Sequence, residues 1–176
     1  MMNPYILMKA SPSQQHLLDN LLQLYAHDIN NHFKYTIKMD CNCNYRIKSA
    51  RDYLTNGWGY LIIVSCEYAG FILLNGQATM QEGVFISEFY ILPQYRNGHF
   101  ARYIILSLFS TLEGVVEFRL LKSNKRALFV FEYLAKRYLS EYQKIDEYEY
   151  EEEYYRFTLD LANLNYDLSK YKMYIK

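Results

Sequence analysis

Glycine, proline and cysteine are scarce in this chain of 176 residues, which has 7, 3 and 3 of them respectively. So little glycine and proline excludes a collagen-like fibre and a low-complexity linker protein. Cys41 and Cys43 are separated by one residue, which is not the usual spacing of a zinc knuckle, and Cys66 stands alone. We therefore expect three free thiols in a reducing compartment and no metal site.

The sequence also lacks a charge excess and a long hydrophobic run. Nineteen Asp and Glu balance nineteen Lys and Arg, so the basic excess typical of nucleic-acid-binding proteins is missing and no nucleic-acid partner is expected. The longest apolar runs, at 60–64 and 103–109, are much shorter than the ~20 residues that span a membrane. The N-terminal residues lack the basic start and apolar stretch of a signal peptide. We expect a cytoplasmic protein without membrane contact.

Aromatic residues are abundant instead: 20 Tyr, 10 Phe and 1 Trp make up 18% of the chain. With 51% hydrophobic residues, the chain has enough apolar surface to offset the entropy lost on folding. Neither a linker nor an internal repeat is visible, so we treat residues 1–176 as one domain. Monomer and homodimer both stay open as states of assembly.

Charge is unevenly distributed along the chain although the total is zero. Residues 96–137 contain eight Lys and Arg against three Glu, whereas residues 141–153 contain seven acids against one Lys. The basic stretch suits a bound anion. The acidic stretch is consistent either with the solvent face of a strand hairpin or with a surface that attracts basic acceptors.

Hydrophobic periodicity predicts an α/β chain. Ser11, Pro12 and Gln14 form the start signal of a first helix, and the polar residues 30–56 predict a loop with a short helix. The pattern then predicts strands at 60–64, 71–74, 84–91 and 116–121, helices at 100–112 and 124–138, and two strands within 142–161. The strand, helix and strand in the middle of this order indicate a crossover connection.

The stretch from residue 84 to residue 102 joins a strand through a short turn to the start of a helix. A helix start has backbone N–H groups without intrahelical partners and carries partial positive charge, so it suits a phosphate group. Arg96 and Arg102 flank this turn, and charged hydrogen bonds from them would add about 1.5–3 kcal/mol each. The pattern predicts an anion site above the turn.

The segment ISEFYILPQYRNGHFARYII resembles the acetyl-coenzyme A motif of the GNAT acetyltransferase superfamily, with Leu-Pro, Tyr-Arg and Ala-Arg in register. The segment SNKRALFVFEYL resembles the second motif of that family through Asn124, Ala127 and Phe131. The resemblance covers roughly residues 13–160 and leaves 161–176 as a tail. It implies the GNAT fold, an α/β (α+β) architecture with a mixed central sheet of about six to seven strands flanked by helices.

The resemblance also implies how acetyl-coenzyme A would bind as the cosubstrate. Its pantetheine would follow the open edge of the strand at 84–91, on the backbone of Phe89, Tyr90 and Ile91. Its pyrophosphate would lie beside Arg96 on the amides of Asn97, Gly98, His99, Phe100, Ala101 and Arg102. Asn124 and Phe131 would contribute from the second motif. An amine bound opposite would attack the thioester directly.

Two positions depart from the motifs. The family has glycine where this chain has His99, with Gly98 one place earlier, and glycine allows close approach of the backbone to phosphate. Either His99 tolerates that geometry or the loop is shifted by one residue. His99 itself is either a phosphate donor or an exposed residue at the helix start. Phe131 stands where many family members have a tyrosine that protonates the leaving thiolate, and phenylalanine has no proton to donate.

Glu88 is the catalytic candidate, because it is a charged residue in an otherwise apolar strand beside the expected reaction gap. We expect it to serve as the general base for the amine; alternatively, its side chain faces solvent or pairs with a base. Tyr25 and Asp28 are substrate-binding candidates at the end of the first helix. Asp28 would hold a cationic acceptor, or else it is a capping or surface residue. His27 and His32 are five residues apart, which is not a helical ligand pair, so no metal is assigned.

These features predict an N-acetyltransferase that moves acetyl from acetyl-coenzyme A to a primary amine, which is a small molecule, a peptide or a lysine. The alternative is a non-catalytic protein of the same fold, either a coenzyme A-binding sensor or an interaction module, which His99 and Phe131 favour. Nucleic-acid binding is a third class, but the basic residues of 96–137 are better explained by the phosphates of coenzyme A.

Overall fold

The structure is a computed structural model, and it describes residues 5–32, 37–76, 83–96, 99–138, 142–149, 152–164 and 167. Its helices are α1 Gln15–His32, α2 Ala50–Asn56, α3 Phe100–Phe109 and α4 Lys125–Tyr138. Its strands are β1 Tyr5–Lys9, β2 Gly57–Val64, β3 Glu67–Asn75, β4 Gly83–Ile91, β5 Val115–Leu121, β6 Tyr142–Glu149 and β7 Glu152–Asp160. Short 3-10 turns occupy Pro12–Gln14, Pro93–Tyr95 and Leu161–Asn163.

The seven strands form one sheet in the order β1-β2-β3-β4-β5-β7-β6. β4 and β5 are parallel, and each of the other neighbouring pairs is antiparallel. Parallel neighbours need a long crossover connection, and α3 supplies it between β4 and β5. The predicted mixed sheet of six to seven strands flanked by helices is therefore confirmed.

Helices cover both faces of the sheet, because alternate strand residues are apolar on either side. On one face, α1 and α2 pack on the strands through a cluster that includes Leu18, Ala50 and Phe71. On the other face, α3 and α4 pack on a larger cluster that includes Ile104 and Leu134. The two faces have separate cores, so the face on which a strand residue lies decides which helices it meets.

The predicted start signal of the first helix is confirmed. Gln14 Oε1 accepts a hydrogen bond from the Ser11 N–H at 2.9 Å, and the Gln14 N–H donates to the Ser11 carbonyl at 2.9 Å. Pro12 occupies the first position of the turn, where its missing N–H costs nothing. Leu18 and Leu22 of the predicted apolar face are buried.

The predicted helix at 100–112 ends earlier, at Phe109. The Ser110 hydroxyl donates to the Ser107 carbonyl at 2.7 Å, and the Thr111 hydroxyl donates to the Leu108 carbonyl at 2.6 Å. Such local side-chain hydrogen bonds compete with continuation of the helix. The helix therefore stops one turn before the last apolar residue of the pattern.

β1 is absent from the predicted elements, since five residues are too few to show a clear period. It exists because of distant partners. It pairs antiparallel with β2, from Tyr5 opposite Val64 to Lys9 opposite Tyr60. The buried Tyr5 hydroxyl also lies 2.8 Å from Ser107 Oγ on α3. The partners of β1 lie at least 51 residues away in the chain, so a local sequence pattern does not predict these contacts.

Gly70 lies on β3 with a φ of +157°, opposite Ile91 of β4. A Cβ at this position would lie 2.0 Å from the Tyr90 carbonyl oxygen, which cannot move without opening the ladder. We expect Gly70→Ala to lower the free energy of unfolding by about 1–3 kcal/mol through overpacking and strain. Urea denaturation measures it. The control is Gly76→Ala, whose Cβ would meet only Trp58 at 3.7 Å; equal loss in both variants would contradict the prediction.

Candidate active site

The parallel strands β4 and β5 separate partway along their length. Four positions are in register, from Gly83 opposite Val115 to Ile86 opposite Phe118. Beyond Ile86, within the described part of the sheet, β4 continues to Ile91 against β3 alone. Backbone groups of β4 that point away from β3 therefore border a gap. An extended ligand can pair with such groups as an added strand would.

A β-bulge decides which face each side chain of β4 occupies. Leu74 is opposite Ile86 and Leu73 is opposite Glu88, so Ser87 is an extra residue in β4. Leu74 and Ile86 belong to the cluster that packs against α3 and α4, called here the α3/α4 core. Leu73 belongs to the cluster that packs against α1 and α2, called here the α1/α2 core. Glu88 therefore lies on the α1/α2 face, although strict alternation from Ile86 would put it on the other.

Two phenols hold the half-buried carboxylate of Glu88. The Tyr53 hydroxyl of α2 donates to Glu88 Oε1 at 2.8 Å, and Tyr25 of α1 also hydrogen-bonds to Glu88. Burial has the largest effect and raises the pKa of Glu88 above its ordinary value. The two hydrogen bonds and the charges of Lys48 and Arg119 oppose part of that rise. Glu88 is consequently a stronger base than an exposed glutamate.

The same surroundings raise the pKa of both phenols. Burial is the main cause for Tyr25 and for Tyr53, and the neighbouring carboxylate of Glu88 raises each pKa further. Both hydroxyls therefore stay protonated at neutral pH and act as donors toward Glu88. Glu88 is therefore a desolvated carboxylate that accepts hydrogen bonds from two protonated tyrosine hydroxyls.

Tyr25 also belongs to a cluster of aromatic rings on this face. Its ring centroid lies 6.0 Å from that of Phe71 and 5.5 Å from that of Tyr90. The structure thus brings the predicted residues Tyr25, Glu88 and Tyr90 together. Tyr53 was missing from the predicted site. The capping signal of Ser49 and Asp52, which starts α2, would have located its helix but not its contact with Glu88.

Arg96 ties the turn after β4 to the end of α1. Its Nε donates to the Ile91 carbonyl at 2.7 Å, and one of its terminal nitrogens lies 2.5 Å from Asp28 Oδ2. Its guanidinium also lies 5.3 Å from the ring centroid of Tyr90. Asp28 therefore has a cationic partner within the chain, and its predicted contact with an acceptor stays a prediction. The pair fixes Arg96 beside the predicted phosphate turn.

The start of α3 is exposed at His99, which occupies the capping position. Its φ of −126° is a value that any residue adopts, so the backbone conformation does not require glycine here, whereas the closer approach to phosphate that glycine allows is lost. Asn97 and Gly98, which the resemblance also implicates, lie outside the described residues. Phe100 is buried, whereas Ala101 and Arg102 are half-buried in the first turn, which has no acidic side chain.

Two further predicted contacts with coenzyme A lie on α3 and before α4. The Arg102 guanidinium lies 5.4 Å from the ring centroid of Tyr103 and 5.2 Å from that of Tyr133. Asn124 Oδ1 accepts a hydrogen bond from the Ala127 N–H at 3.1 Å and so caps α4. The side-chain NH₂ of Asn124 is the group that would donate a hydrogen bond to a phosphate or carbonyl oxygen of a ligand.

Phe131 is buried below the gap. Its ring centroid lies 4.3 Å from that of Phe118 on β5 and 6.5 Å from that of Phe89 on β4. It therefore packs between the two strands where they separate. The position at which the resemblance implies a proton-donating tyrosine is filled by an apolar contact.

No protein-family model matches the sequence, and no curated protein is similar to it in sequence. Solved structures are similar in fold. Spermidine N-acetyltransferase from Vibrio cholerae, solved with CoA and spermine, has a TM-score of 0.64 at 12% identity, covering 91% of this chain and 97% of its own. A GNAT-family acetyltransferase from Bacillus cereus has a TM-score of 0.60 at 12% identity, covering 89% and 96%. The chain has the GNAT acetyltransferase fold.

The ribosomal-protein-S18-alanine N-acetyltransferase from Escherichia coli is a third structure with the GNAT fold. Its TM-score is 0.58 at 12% identity, with 89% of this chain and 94% of that chain covered. At this level of identity, the similarity concerns the path of the chain and not its chemistry. The fold implied by the two sequence motifs is therefore confirmed.

The described residues of the acidic stretch, 142–149, 152 and 153, lie on β6 and β7. Described carboxylates of this stretch pair with bases of the same sheet: Glu147 lies 2.5 Å from Arg156, and Glu149 pairs with Arg119. Among the described residues, no group of His, Cys, Asp and Glu could hold a metal ion. In the same part of the chain, no helix is long and apolar enough to span a bilayer.

The raised pKa of Glu88 has a consequence for stability. The folded state holds the proton of Glu88 more tightly than the unfolded state does, so stability falls as pH rises from the ordinary pKa through the raised one. Glu88→Gln removes this penalty. We expect the variant to exceed the wild type in thermal stability at pH 8 and the difference to shrink toward pH 4.

Thermal denaturation across this pH range tests the prediction. The matched control is Glu67→Gln, which removes an exposed carboxylate that likewise accepts a tyrosine hydroxyl, that of Tyr95 at 2.6 Å. The control should not gain stability as pH rises. A Glu88→Gln protein that is less stable than the wild type at pH 8 would contradict the desolvated-charge argument.

Proposed function

We propose that this protein is an N-acetyltransferase that transfers acetyl from acetyl-coenzyme A to a primary amine. One observation carries the proposal: a desolvated carboxylate, that of Glu88, borders the gap where β4 separates from β5, and β4 leads through a short turn into the start of α3. A base, an open strand edge and an anion site thus follow one another along about fifteen residues of chain.

The residues of β4 and α3 fit the cosubstrate in two respects. The backbone of Phe89, Tyr90 and Ile91 lies on the part of β4 that β5 leaves unpaired. The first turn of α3 contains no acidic side chain, and Arg96 is anchored beside it. Because a helix start favours negative charge, this turn supports binding of the pyrophosphate. The Vibrio cholerae spermidine N-acetyltransferase was solved in complex with CoA, which is consistent with this assignment.

The reaction needs a neutral amine more than it needs an acid. An amine of pKa ~10.4 is neutral in about 1 molecule in 2,500 at pH 7, which corresponds to about 4.6 kcal/mol. The amine nitrogen attacks the thioester carbonyl, the C–N bond forms, and the C–S bond breaks. Glu88 accepts the proton released from nitrogen, directly or through water. The leaving thiolate belongs to a thiol of pKa ~8.5 and tolerates the lack of a donor at Phe131.

The acceptor site lies on the α1/α2 face, beside the hydroxyls of Tyr25 and Tyr53. These phenols hold the carboxylate of Glu88 in place and leave its other lone pairs for an amine or a water molecule. Tyr25 is therefore retained as a substrate-binding residue, and Tyr53 joins it. Asp28 is assigned more simply to holding Arg96 than to contacting the acceptor.

A second candidate function is a coenzyme A-binding sensor without catalysis. Phe131 favours it, because an apolar ring occupies the position of the expected proton donor. His99 also favours it, because a side chain at this position prevents the close approach to phosphate that glycine allows, although the backbone conformation there does not require glycine. The two functions share the cosubstrate site and differ only in turnover.

A thermal-shift assay followed by a thiol-release assay tests the proposal. Acetyl-coenzyme A at 100 times its dissociation constant should stabilise the fold by about 2.7 kcal/mol, which is roughly 5–11 °C for a chain of this length. Free thiol should then accumulate with an amine panel at neutral pH. The absence of a shift would reject both functions, and a shift without thiol release would leave the sensor.

Glu88→Gln should lower kcat by 10²- to 10⁴-fold, the usual effect of removing a general base. The affinity for acetyl-coenzyme A, measured by calorimetry, should stay within about threefold of the wild type, since Glu88 lies on the opposite face from the α3 contacts.

Tyr53→Phe should shift the acidic limb of the pH–rate profile to higher pH, because the charged form of Glu88 loses a hydrogen bond.

The control for Tyr53→Phe is Tyr45→Phe, which removes a hydroxyl that contacts His27 Nδ1 at 2.9 Å elsewhere on α1. That variant should keep the wild-type profile. Near-full turnover by Glu88→Gln would remove Glu88 from the mechanism.

A further inference from the structure

Arg119 of β5 lies across the gap from Glu88. Ile86 and Phe118 are the last residues of β4 and β5 in register, so Arg119 is the first residue of β5 beyond the paired segment. Val116 and Phe118 point into the α3/α4 core. By alternation, Arg119 occupies the α1/α2 face, which is also the face of Glu88. The two sides of the gap thus present opposite charges on one face.

The guanidinium of Arg119 is held by aromatic rings and by one acid. It lies 5.9 Å from the ring centroid of Phe85 and 5.6 Å from that of Tyr154, and it pairs with Glu149. About a third of the side chain is exposed, with a relative accessibility of 35%. A guanidinium has five N–H donors, so the pair with Glu149 leaves donors for a second oxyanion.

The neighbouring acids of β5 and β6 are already paired with bases. Arg156 lies 2.5 Å from Glu147 and 3.5 Å from the buried carboxylate of Glu117. Glu149 pairs with Arg119 itself. A polyamine needs several carboxylates in a row, and these described acids do not offer them free of cationic partners. A second ammonium group would instead meet the guanidinium of Arg119.

We propose that the acceptor is an amino carboxylic acid, with its amine at Glu88 and its carboxylate on Arg119. The proposal rests on the proposed function, since it names the class of amine used at the same site. A bidentate contact between guanidinium and carboxylate fixes the substrate at one end. The amine is then directed to the base at the other end of the gap. The rings of Phe85 and Tyr154 keep the guanidinium oriented during binding.

Pairs of acceptors that differ only in the carboxylate test this inference. Tyrosine and tyramine form one pair, lysine and cadaverine form another, and spermidine serves as the polyamine. We expect kcat/KM to be at least tenfold higher for each amino acid than for its decarboxylated partner, and spermidine to be the poorest acceptor. Equal values within a pair, or a preference for spermidine, would overturn the proposal.

Substitution of Arg119 gives the second part of the test. Arg119→Gln should lower kcat/KM roughly 10- to 100-fold more for the amino acid than for its decarboxylated partner, mainly through KM, because the lost charge near Glu88 affects both acceptors alike. Arg119→Lys should restore part of the loss, because it keeps the charge but not the planar fork. An equal effect of Arg119→Gln on both members of a pair would overturn the proposal.

Glu149→Gln is the matched control, since it breaks the same ion pair from the other side. It should leave kcat/KM for the amino-acid acceptor at least as high as that of the wild type. A loss as large as that of Arg119→Gln would show that the ion pair is only structural and would reject the inference.

Failure of this inference can be distinguished from failure of the proposed function. If acetyl-coenzyme A neither binds nor is consumed with any amine, the proposed function fails and this inference with it. If amines are acetylated without regard to a carboxylate, this inference fails alone.

Discussion

The separation of β4 from β5 after four paired residues is the constraint on which the rest of this structure depends. Backbone groups in a sheet must find partners, and a parallel pair that opens leaves the facing edges of both strands without a partner strand. The aromatic rings of Phe89, Phe118 and Phe131 pack at the point of separation and keep the strands apart. A stable wedge of apolar side chains thus maintains an opening lined by polar backbone.

The bulge at Ser87 adds the chemistry to this opening. It moves Glu88 to the face of α1 and α2, where burial disfavours its charge and the hydroxyls of Tyr25 and Tyr53 partly compensate. Such a carboxylate costs stability at neutral pH, because it is ionised in a site that favours the proton. The same property makes it a better base. Stability and function therefore place opposite demands on this residue.

Arginine residues connect the site to the elements around it. Arg96 links the turn after β4 to α1 through Asp28, and Arg119 links β5 to β6 through Glu149. Exposed ion pairs of this kind contribute little to stability, typically about 0–1 kcal/mol. Their value here lies in orientation, since each holds a guanidinium beside a proposed anion position. The zero net charge of the chain thus conceals local positive sites on both sides of the gap.

Much of the secondary structure and the crossover at the centre of the fold could be predicted from the sequence, because caps, periodicity and turn signals are local. The strand containing Glu88 and the helix start that follows it were predicted for this reason. β1 and the contact of Tyr53 with Glu88 were not predictable, because their partners lie far away in the chain. The bulge at Ser87 likewise exists only in the register of β4 against β3, and it alone decides the face that Glu88 occupies. The amino-acid sequence by itself determined which residues can carry charge, form turns or pack in a core. The tertiary structure decided which of them are in contact, since side chains distant in sequence are brought together only by the pairing of strands.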